Sequence, residues 1–364
     1  MALQHLISKT DLRDTKWADI PDRDLAAGEV RLRVDAFALT ANNVTYAAFG
    51  GPPMNYWSFY PSDEAGFGRV PVWGFATVIA SRADEVAEGR RVYGYLPMSE
   101  TFTIEAAKIS PRGFMDGIAH RRPLAPIYSS YVYNEGDPGY VSEFEAQQML
   151  FRPLYMTGWM ICDSLVSAEA VPKAAILSSA SSKTALAAAH SLKRHGVETW
   201  GLTSTGNRGF VEKSDLYDHI LTYDDLDGLG QMGDGMTAAY VDFVGRPDLT
   251  KTIHSALGVK LIRSMVIGVT DWEADRTPPP DLPGPMPEFF FVPDYAAQRA
   301  KAFAPGDLDK RTTADLLDFY PASQRFVTPQ DVIGPDAIDT AWHETVDAKI
   351  GPKDGLICRF VAGL

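Results

Sequence analysis

The stretch from Ala174 to Tyr223 constrains the fold most, because strand-like and helix-like patterns alternate within it. An apolar run at 174–177 leads into a turn of Ser and Ala, an Ala-rich segment to His195, and a second β-type run from Glu198. A βαβ unit of this kind joins parallel strands through a right-handed crossover. It places the turn and the first amides of the helix where a pyrophosphate can bind. The sequence therefore predicts a nucleotide-binding unit.

The turn in this unit lacks the glycine pattern G-x-G-x-x-G and contains serine, alanine and lysine instead. Small residues still let a diphosphate approach the backbone, and hydroxyl and ammonium groups can donate hydrogen bonds to it. The alternative is a serine N-cap followed by an exposed lysine. The predicted phosphate-binding residues are Ser179, Ala180, Ser181, Ser182, Lys183 and Thr184.

Composition excludes several classes of protein. A chain of 364 residues predicts two domains, and a net charge of −13 disfavours a nucleic acid or an anionic membrane as partner. No apolar run is long enough to span a bilayer, and the N-terminal residues do not resemble a secretion signal. Cys162 and Cys358 are too few for a disulfide framework or a thiolate zinc site. We therefore expect a cytoplasmic protein without a metal.

The N-terminal part has the patterns of a small β domain. Residues 29–39 alternate between apolar and charged, and short glycine-punctuated β runs follow at 70–80, 89–96 and 101–104. Such strands without helices predict a barrel-like domain. The segment 110–139 shows no periodicity and is interpreted as an insertion or long connection, with Arg121 and Arg122 in a solvated turn.

A Gly- and Pro-rich segment at 49–61 carries several aromatic side chains. Tyr56, Trp57, Phe59 and Tyr60 could line an apolar substrate pocket. The alternative is that they pack the loop onto the domain beneath it.

The C-terminal half alternates strands and helices. Strand patterns at 238–244 and 261–269, with a helix at about 248–257 between them, extend the βαβ unit into a parallel α/β sheet. The apolar run at 288–292 is predicted to pair across a dimer edge. A last β segment at 355–361 is predicted to return to the β domain.

The order of these parts resembles the medium-chain dehydrogenase/reductase superfamily, in particular its zinc-free quinone oxidoreductases and enoyl reductases. The segments that carry the resemblance start at Gly28, Val72, Gly89, Thr157 and Asp354. Thr157 stands at the position where members of this superfamily begin a helix. The resemblance implies an α/β protein with a GroES-like β domain, formed by residues 1–150 together with 322–364. A Rossmann-type NADP-binding domain would occupy residues 151–321.

The resemblance also places a catalytic segment directly after the first long strand. Zinc-dependent members have a cysteine there, whereas this chain reads Leu39-Thr-Ala-Asn-Asn-Val-Thr-Tyr46, so zinc catalysis is not expected. Tyr46 is the predicted hydrogen-bond donor or acid, with Asn43 as an orienting group and Thr40 beside them. Tyr56 and Tyr60 are the alternatives to Tyr46. A buried tyrosine that binds a backbone carbonyl is the structural alternative for each of them.

The cofactor prediction depends on the end of the second strand of the βαβ unit. NAD-specific folds carry an acid there, but this chain has Thr203, Ser204, Thr205 and then Arg208. Hydroxyls and a guanidinium suit a 2′-phosphate, which favours NADPH over NADH. The resemblance implies Arg208, Tyr223 and Lys349 as further cofactor-binding residues.

The function that follows is a zinc-independent, NADP(H)-dependent oxidoreductase that reduces an activated C=C or C=O bond of a small apolar substrate. An enone, an enoyl thioester or a quinone would fit. One alternative is a lyase or hydratase that uses bound NADP without net redox change. Another is a non-catalytic NADPH-binding sensor or scaffold. The aromatic run at 289–291 makes a homodimer the expected assembly.

Overall fold

Two units make up the computed structural model, which describes residues 2–267, 281–304 and 306–362. The first unit contains residues 1–150 and 328–364, and the second contains residues 151–327. The predicted strand at 261–269 is observed as far as Val266, and its last two residues lie outside the described ones.

The elements up to residue 166 are, in chain order, β1 (Ala2–Ser8), β2 (Thr15–Ile20), β3 (Glu29–Leu39), α1 (Ala41–Ala48), β4 (Phe67–Gly68), β5 (Pro71–Ser81), β6 (Arg91–Pro97), β7 (Thr101–Ser110), β8 (Gly113–Asp116), β9 (Ser130–Tyr133) and α2 (Glu145–Val166). The following elements are β10 (Ala174–Leu177), α3 (Lys183–Arg194), β11 (Glu198–Thr203), α4 (Arg208–Ser214), β12 (His219–Thr222), β13 (Ala238–Asp242), α5 (Pro247–Leu257), β14 (Leu261–Val266), β15 (Glu288–Phe289), α6 (Val292–Ala302), α7 (Asp307–Ser323), β16 (Thr328–Ile333), α8 (Pro335–Val346) and β17 (Asp354–Arg359).

The first unit is built on a closed barrel. Its strands follow the order β3-β5-β6-β9-β8-β7, and β7 pairs with β3 to close the ring. The strand β17 pairs antiparallel with β3 from Leu356 opposite Leu39, and β16 runs parallel to β17. The last strand therefore returns to the β domain, as the sequence predicts.

The interpretation of residues 110–139 as an insertion is wrong. This segment contains β8 and β9, which complete the barrel between β7 and β6. Each of these strands has only 4 residues, too few for an alternating pattern to be recognised. Arg121 is also not in a solvated turn, because it is 2% exposed and forms an ion pair with Asp116. Arg122 does lie at the surface.

The second unit contains a parallel sheet of strand order β12-β11-β10-β13-β14-β15. The order reverses at β10, and in such doubly wound sheets ligands bind at the carboxyl ends of the strands on either side of this point. The core of the sheet is apolar, with Ile176 and Leu202 fully buried. This sheet and the barrel confirm the predicted fold class.

The helix α2 runs without a break through Thr157 and Trp159, so the helix start implied at Thr157 is wrong.

Gly158 lets α2 approach α3 closely. A Cβ atom on Gly158 would lie 2.5 Å from the backbone nitrogen of Ala188. The absence of a side chain at this position therefore sets the distance between the two helices.

We expect Gly158→Val to lower the free energy of unfolding by about 1–3 kcal/mol, because the added carbons would press on backbone atoms in a packed core. Urea denaturation followed by circular dichroism measures this change. Gly230→Val is the matched control, because a Cβ there would meet no atom within 4 Å. Equal stability of the two variants would contradict the close-packing interpretation.

His343 attaches α8 to the turn between β1 and β2. Its Nδ1 lies 2.8 Å from the Asp339 carbonyl oxygen, and its Nε2 lies 2.9 Å from the Arg13 carbonyl oxygen. Both ring nitrogens can donate only in the imidazolium form. Burial opposes the charge, but the two carbonyls and the Asp339 and Asp347 carboxylates raise the pKa of His343 overall.

The stability that His343 contributes is expected to disappear as the solution becomes alkaline. A raised pKa in the folded state means that the contribution is complete below the unfolded pKa of about 6.5 and is lost as pH rises through the folded value. We expect the difference in unfolding free energy between the wild type and His343→Gln to shrink between about pH 6 and pH 9. A constant difference across this range would contradict the imidazolium assignment.

Candidate functional site

The turn between β10 and α3 has a fixed backbone. Ser179 adopts the left-handed conformation with φ 49°, at a position where glycine would be unstrained. The Ala180 N–H donates to the Leu202 carbonyl at 2.9 Å, which ties the turn to β11. Ser182 is the N-cap of α3, and its hydroxyl accepts a hydrogen bond from the Ala185 N–H at 3.3 Å. The serines therefore shape the turn as well as line it.

Two further contacts bring neighbouring strand ends to this turn. The Tyr223 hydroxyl accepts a hydrogen bond of 2.8 Å from the Ser179 N–H. The Asn207 side chain donates to the Ser181 hydroxyl at 3.1 Å. The carboxyl ends of β10, β11 and β12 thus surround one polar surface in the second unit.

The residues at this surface fit a diphosphate. The side chains of Ser181, Ser182, Lys183 and Thr184 are half-buried at the start of α3, where a helix favours negative charge. A Cβ on Gly201 would lie 3.0 Å from the Ala180 Cβ, so β11 passes close behind the turn. The polar side chains at 181–184 can donate hydrogen bonds to an anionic ligand, and the small residues of the turn let the ligand approach the backbone.

Thr203 lies at the end of β11 and differs from its exposed neighbours. Its hydroxyl is buried and has no hydrogen-bond partner among the described residues. A buried unpaired hydroxyl costs about 1–3 kcal/mol. A ligand oxygen at this strand end would remove that cost.

The predicted 2′-phosphate residues are exposed, and two of them already have partners. The Arg208 Nε lies 2.8 Å from Glu212 within α4. Ser204 is exposed, and the Thr205 hydroxyl donates to the Asp224 carboxylate at 2.9 Å. Sequence reasoning found no acid at the end of β11 and missed the one that β12 supplies. The ends of β11 and β12 lie side by side in the sheet, and the sequence alone did not show that Asp224 would lie beside Thr205.

Lys349 belongs to the first unit, whereas the other predicted cofactor residues belong to the second. It follows α8, and its ammonium group lies 3.0 Å from the Asp347 carboxylate. Its assignment to the cofactor stays a prediction.

The first unit holds the predicted catalytic segment at the start of α1. Asn43 is 2% exposed, and its side-chain oxygen accepts a hydrogen bond from the Thr40 N–H at 2.8 Å. Its amide donates to the Pro71 carbonyl at 3.0 Å. The oxygen of the amide thus caps the start of α1, and its nitrogen ties the helix to β5. The structure places Thr40 and Asn43 where they position the helix that carries Tyr46.

Tyr46 lies in a cluster of aromatic rings from separate segments, which we call the tyrosine cluster. Its ring centroid is 4.6 Å from Tyr56, 5.4 Å from Tyr95 and 6.4 Å from Tyr128. Trp73 on β5 lies 5.0 Å from the Tyr95 ring. Tyr46 and Tyr56 were predicted, whereas Trp73, Tyr95 and Tyr128 were missed.

The Tyr46 hydroxyl accepts a hydrogen bond from the Trp73 indole N–H, which lies 3.2 Å from the Tyr46 oxygen. Both Trp73 and the nearby Asn42 side chain act to lower the pKa of Tyr46. Burial and the neighbouring Tyr56 nevertheless raise the pKa of Tyr46 well above its usual value. The phenol is therefore protonated at neutral pH, and Trp73 and Asn42 would stabilise a phenolate after proton loss.

Tyr95 contributes an unusual group to the tyrosine cluster. Its side chain is fully buried, and its hydroxyl has no hydrogen-bond partner among the described residues. Burial, together with Tyr46 and Tyr128 nearby, raises the pKa of Tyr95. The cluster therefore contains a neutral donor that a polar ligand atom could satisfy.

Tyr60 belongs to a separate hydrogen-bond network with Tyr131 and Arg121. Its hydroxyl donates to the Tyr95 carbonyl and lies 2.9 Å from the Tyr131 hydroxyl. The Arg121 guanidinium lies 3.0 Å from that Tyr131 hydroxyl and 2.8 Å from Asp116. This arrangement matches the structural alternative of a buried tyrosine on a backbone carbonyl. Trp57 likewise packs inward, against Gly50 and Gly68.

The part of the chain that the structure describes holds neither a metal-binding cluster nor a membrane-spanning helix. Within residues 2–267, 281–304 and 306–362, no set of three or more His, Cys, Asp or Glu side chains is arranged to hold a metal ion. In the same residues, no helix combines the length and apolarity that a membrane span requires.

A comparison with protein-family models matches residues 37–351 to "Protein of unknown function (DUF2855)". The chain belongs to the DUF2855 family. No curated protein matches the sequence.

Solved structures resemble this DUF2855 protein along its whole length. CurA from Vibrio vulnificus, in complex with NADPH, has a TM-score of 0.62 and 13% identity, with 100% of both chains covered. A mutant form of enoyl thioester reductase from Candida tropicalis has a TM-score of 0.62 and 12% identity, covering 98% of this chain and 99% of that one. The yhdH oxidoreductase from Salmonella enterica, in complex with NADP, has a TM-score of 0.55 and 14% identity, covering 98% and 99%.

These similarities confirm the fold that the resemblance to zinc-free medium-chain reductases implies. At identities of 12–14% they establish the fold and nothing finer.

Proposed function

We propose that this protein is an NADP(H)-dependent oxidoreductase that reduces an activated C=C or C=O bond of a small apolar substrate without zinc. The observation that carries the proposal is the polar surface at the carboxyl ends of β10, β11 and β12. It combines the start of α3, four half-buried polar side chains at 181–184 and the unpaired Thr203 hydroxyl. The match of the fold to structures solved with NADPH and NADP supports the same cofactor.

NADPH, when bound, would supply the hydride, and this chain would supply binding groups and a proton. The turn at 179–184 would hold the diphosphate, and Tyr223 would keep the turn in shape through its bond to the Ser179 N–H. The exposed Ser204 and Arg208 would lie nearer the adenosine end, beyond β11.

Tyr46 is the residue that we assign to proton donation. Its raised pKa keeps the proton on the phenol, and the Trp73 indole N–H, together with the nearby Asn42, would stabilise the phenolate as the proton leaves. The unpaired Tyr95 hydroxyl could donate a hydrogen bond to a substrate carbonyl. The aromatic rings around both hydroxyls favour an enone, an enoyl thioester or a quinone over a charged substrate.

A fluorescence titration tests the cofactor step directly. Purified protein is titrated with NADPH and with NADH while tryptophan quenching and energy transfer to the nicotinamide are followed. Saturable NADPH binding, followed by NADPH consumption with one member of an enone and quinone panel, supports the proposal. Absence of binding by either dinucleotide would exclude it. Tight NADPH binding without turnover across the panel would favour a sensor or scaffold.

We also propose a homodimer formed through the edge of the sheet in the second unit. The strand β15 lies at this edge and pairs on one side with β14. Phe289 on it is 60% exposed, so this edge presents an aromatic ring to solvent. Light scattering of the purified protein tests this assembly, and a monomeric mass at micromolar concentration would exclude it.

A further inference from the structure

A carboxylate occupies the part of the nucleotide site where an adenosine 2′-phosphate would be expected. The Asp224 carboxylate accepts the hydrogen bond of the Thr205 hydroxyl at 2.9 Å. Asp224 follows Tyr223, whose hydroxyl accepts from the Ser179 N–H in the phosphate turn. Asp224 therefore lies at the polar surface formed by the carboxyl ends of β10, β11 and β12.

The contact between Thr205 and Asp224 reduces the number of hydrogen-bond donors that the turn after β11 has for a 2′-phosphate. A hydroxyl has a single proton, and the Thr205 hydroxyl directs it to Asp224 rather than to a phosphate. Arg208, the other expected 2′-phosphate partner, is paired with Glu212. A dianionic phosphate here would compete with two carboxylates for these donors and would be repelled by both.

We propose that Asp224 is a specificity-determining residue that weakens binding of the adenosine 2′-phosphate and leaves binding of an unphosphorylated ribose unaffected. The inference rests on the proposed binding of NADP(H). In NAD-specific folds an acid at the end of the second strand binds the ribose 2′-hydroxyl. Asp224 instead follows β12 and already accepts the hydrogen bond of the Thr205 hydroxyl, so its negative charge acts mainly on a 2′-phosphate. The protein therefore discriminates less between NADPH and NADH than the residues after β11 alone would predict.

The test compares Asp224→Asn with the wild type in binding titrations. The ligands are NADPH, NADH and two fragments without the nicotinamide, namely 2′,5′-ADP and 5′-AMP. Removing one charge beside a dianionic group is expected to tighten binding of NADPH and of 2′,5′-ADP by about tenfold. Binding of NADH and 5′-AMP should change by less than about twofold, since neither ligand carries a 2′-phosphate beside Asp224.

Asp225→Asn is the matched control. Asp225 is exposed like Asp224 and changes the net charge of the protein equally, but the contact to Thr205 belongs to Asp224. If both variants tighten NADPH binding equally, the effect is due to net charge and the inference is overturned. An unchanged ratio of NADPH to NADH affinity in Asp224→Asn also overturns it. If none of the three proteins binds either dinucleotide, the proposed function fails and the inference fails with it.

Discussion

Replacing Arg121 with methionine is expected to lower the free energy of unfolding by about 3–5 kcal/mol. The guanidinium is buried, and its Nη1 lies 2.8 Å from the Asp116 carboxylate. Methionine fills much of the same volume but leaves the Asp116 charge without its partner in the interior. A buried charge without compensation costs several kcal/mol, much more than the loss of an exposed ion pair.

The geometry around Asp116 sharpens this prediction. Its Oδ1 accepts hydrogen bonds from the Glu105 and Ile118 N–H groups, at 3.2 Å and 3.0 Å. These bonds organise β7 and the segment that leads to Arg121, so the carboxylate cannot simply turn toward water. Arg121 also donates to the Tyr128 carbonyl, which links the ion pair to the tyrosine cluster.

Urea denaturation of Arg121→Met, with Arg122→Met as the control, measures the effect. Arg122 has the same charge but is exposed, with its guanidinium 3.8 Å from Glu105, so its loss should change stability by less than about 0.5 kcal/mol. The double variant Arg121→Met/Asp116→Leu should recover part of the loss, because no unpaired charge remains. Similar stabilities of the Arg121 and Arg122 variants would show that the buried pair has no special role.

Replacing Tyr46 with phenylalanine is expected to lower turnover by about 10²- to 10⁴-fold, the usual contribution of a positioned general acid. The ring and its contacts with Tyr56 and Tyr95 are retained, so the tyrosine cluster should keep its packing. The affinity for NADPH should be unchanged, since the hydrogen bonds that shape the phosphate turn come from Tyr223, Asn207 and Leu202 and not from Tyr46.

Trp73→Phe should have a smaller effect than Tyr46→Phe. It removes the hydrogen bond that the Trp73 indole donates to the Tyr46 oxygen, and a neutral hydrogen bond contributes about 1 kcal/mol, or roughly fivefold in rate. Tyr133→Phe is the control for loss of a buried phenol hydroxyl. The Tyr133 hydroxyl has no hydrogen-bond partner among the described residues, and its ring faces Arg90.

Single-turnover measurements with an accepted enone separate the proton step from product release. If Tyr46→Phe turns over as fast as the wild type and binds NADPH equally well, Tyr46 is not the acid. Tyr95, with its unpaired hydroxyl, would then be the next residue to replace.

The sequence predicted the elements whose pattern is local. The run from Ala174 to Leu177, the serine turn and the Ala-rich helix follow one another within a short window, and they form β10 and α3 as expected. The alternation at 29–39 likewise predicted β3. Periodicity and capping act between neighbouring residues, so one sequence contains the information needed to recognise them.

The sites depended on contacts between residues that are distant in sequence. Trp73 faces Tyr95 only because β5 and β6 pair in one register, and Tyr128 joins them through a segment that has no pattern of its own. The burial of Arg121 and the contact between Thr205 and Asp224 arise in the same way. Strand register and sheet order decide which polar groups lie next to each other. Both depend on pairing between segments that are distant in the chain, so a short stretch of sequence cannot predict them.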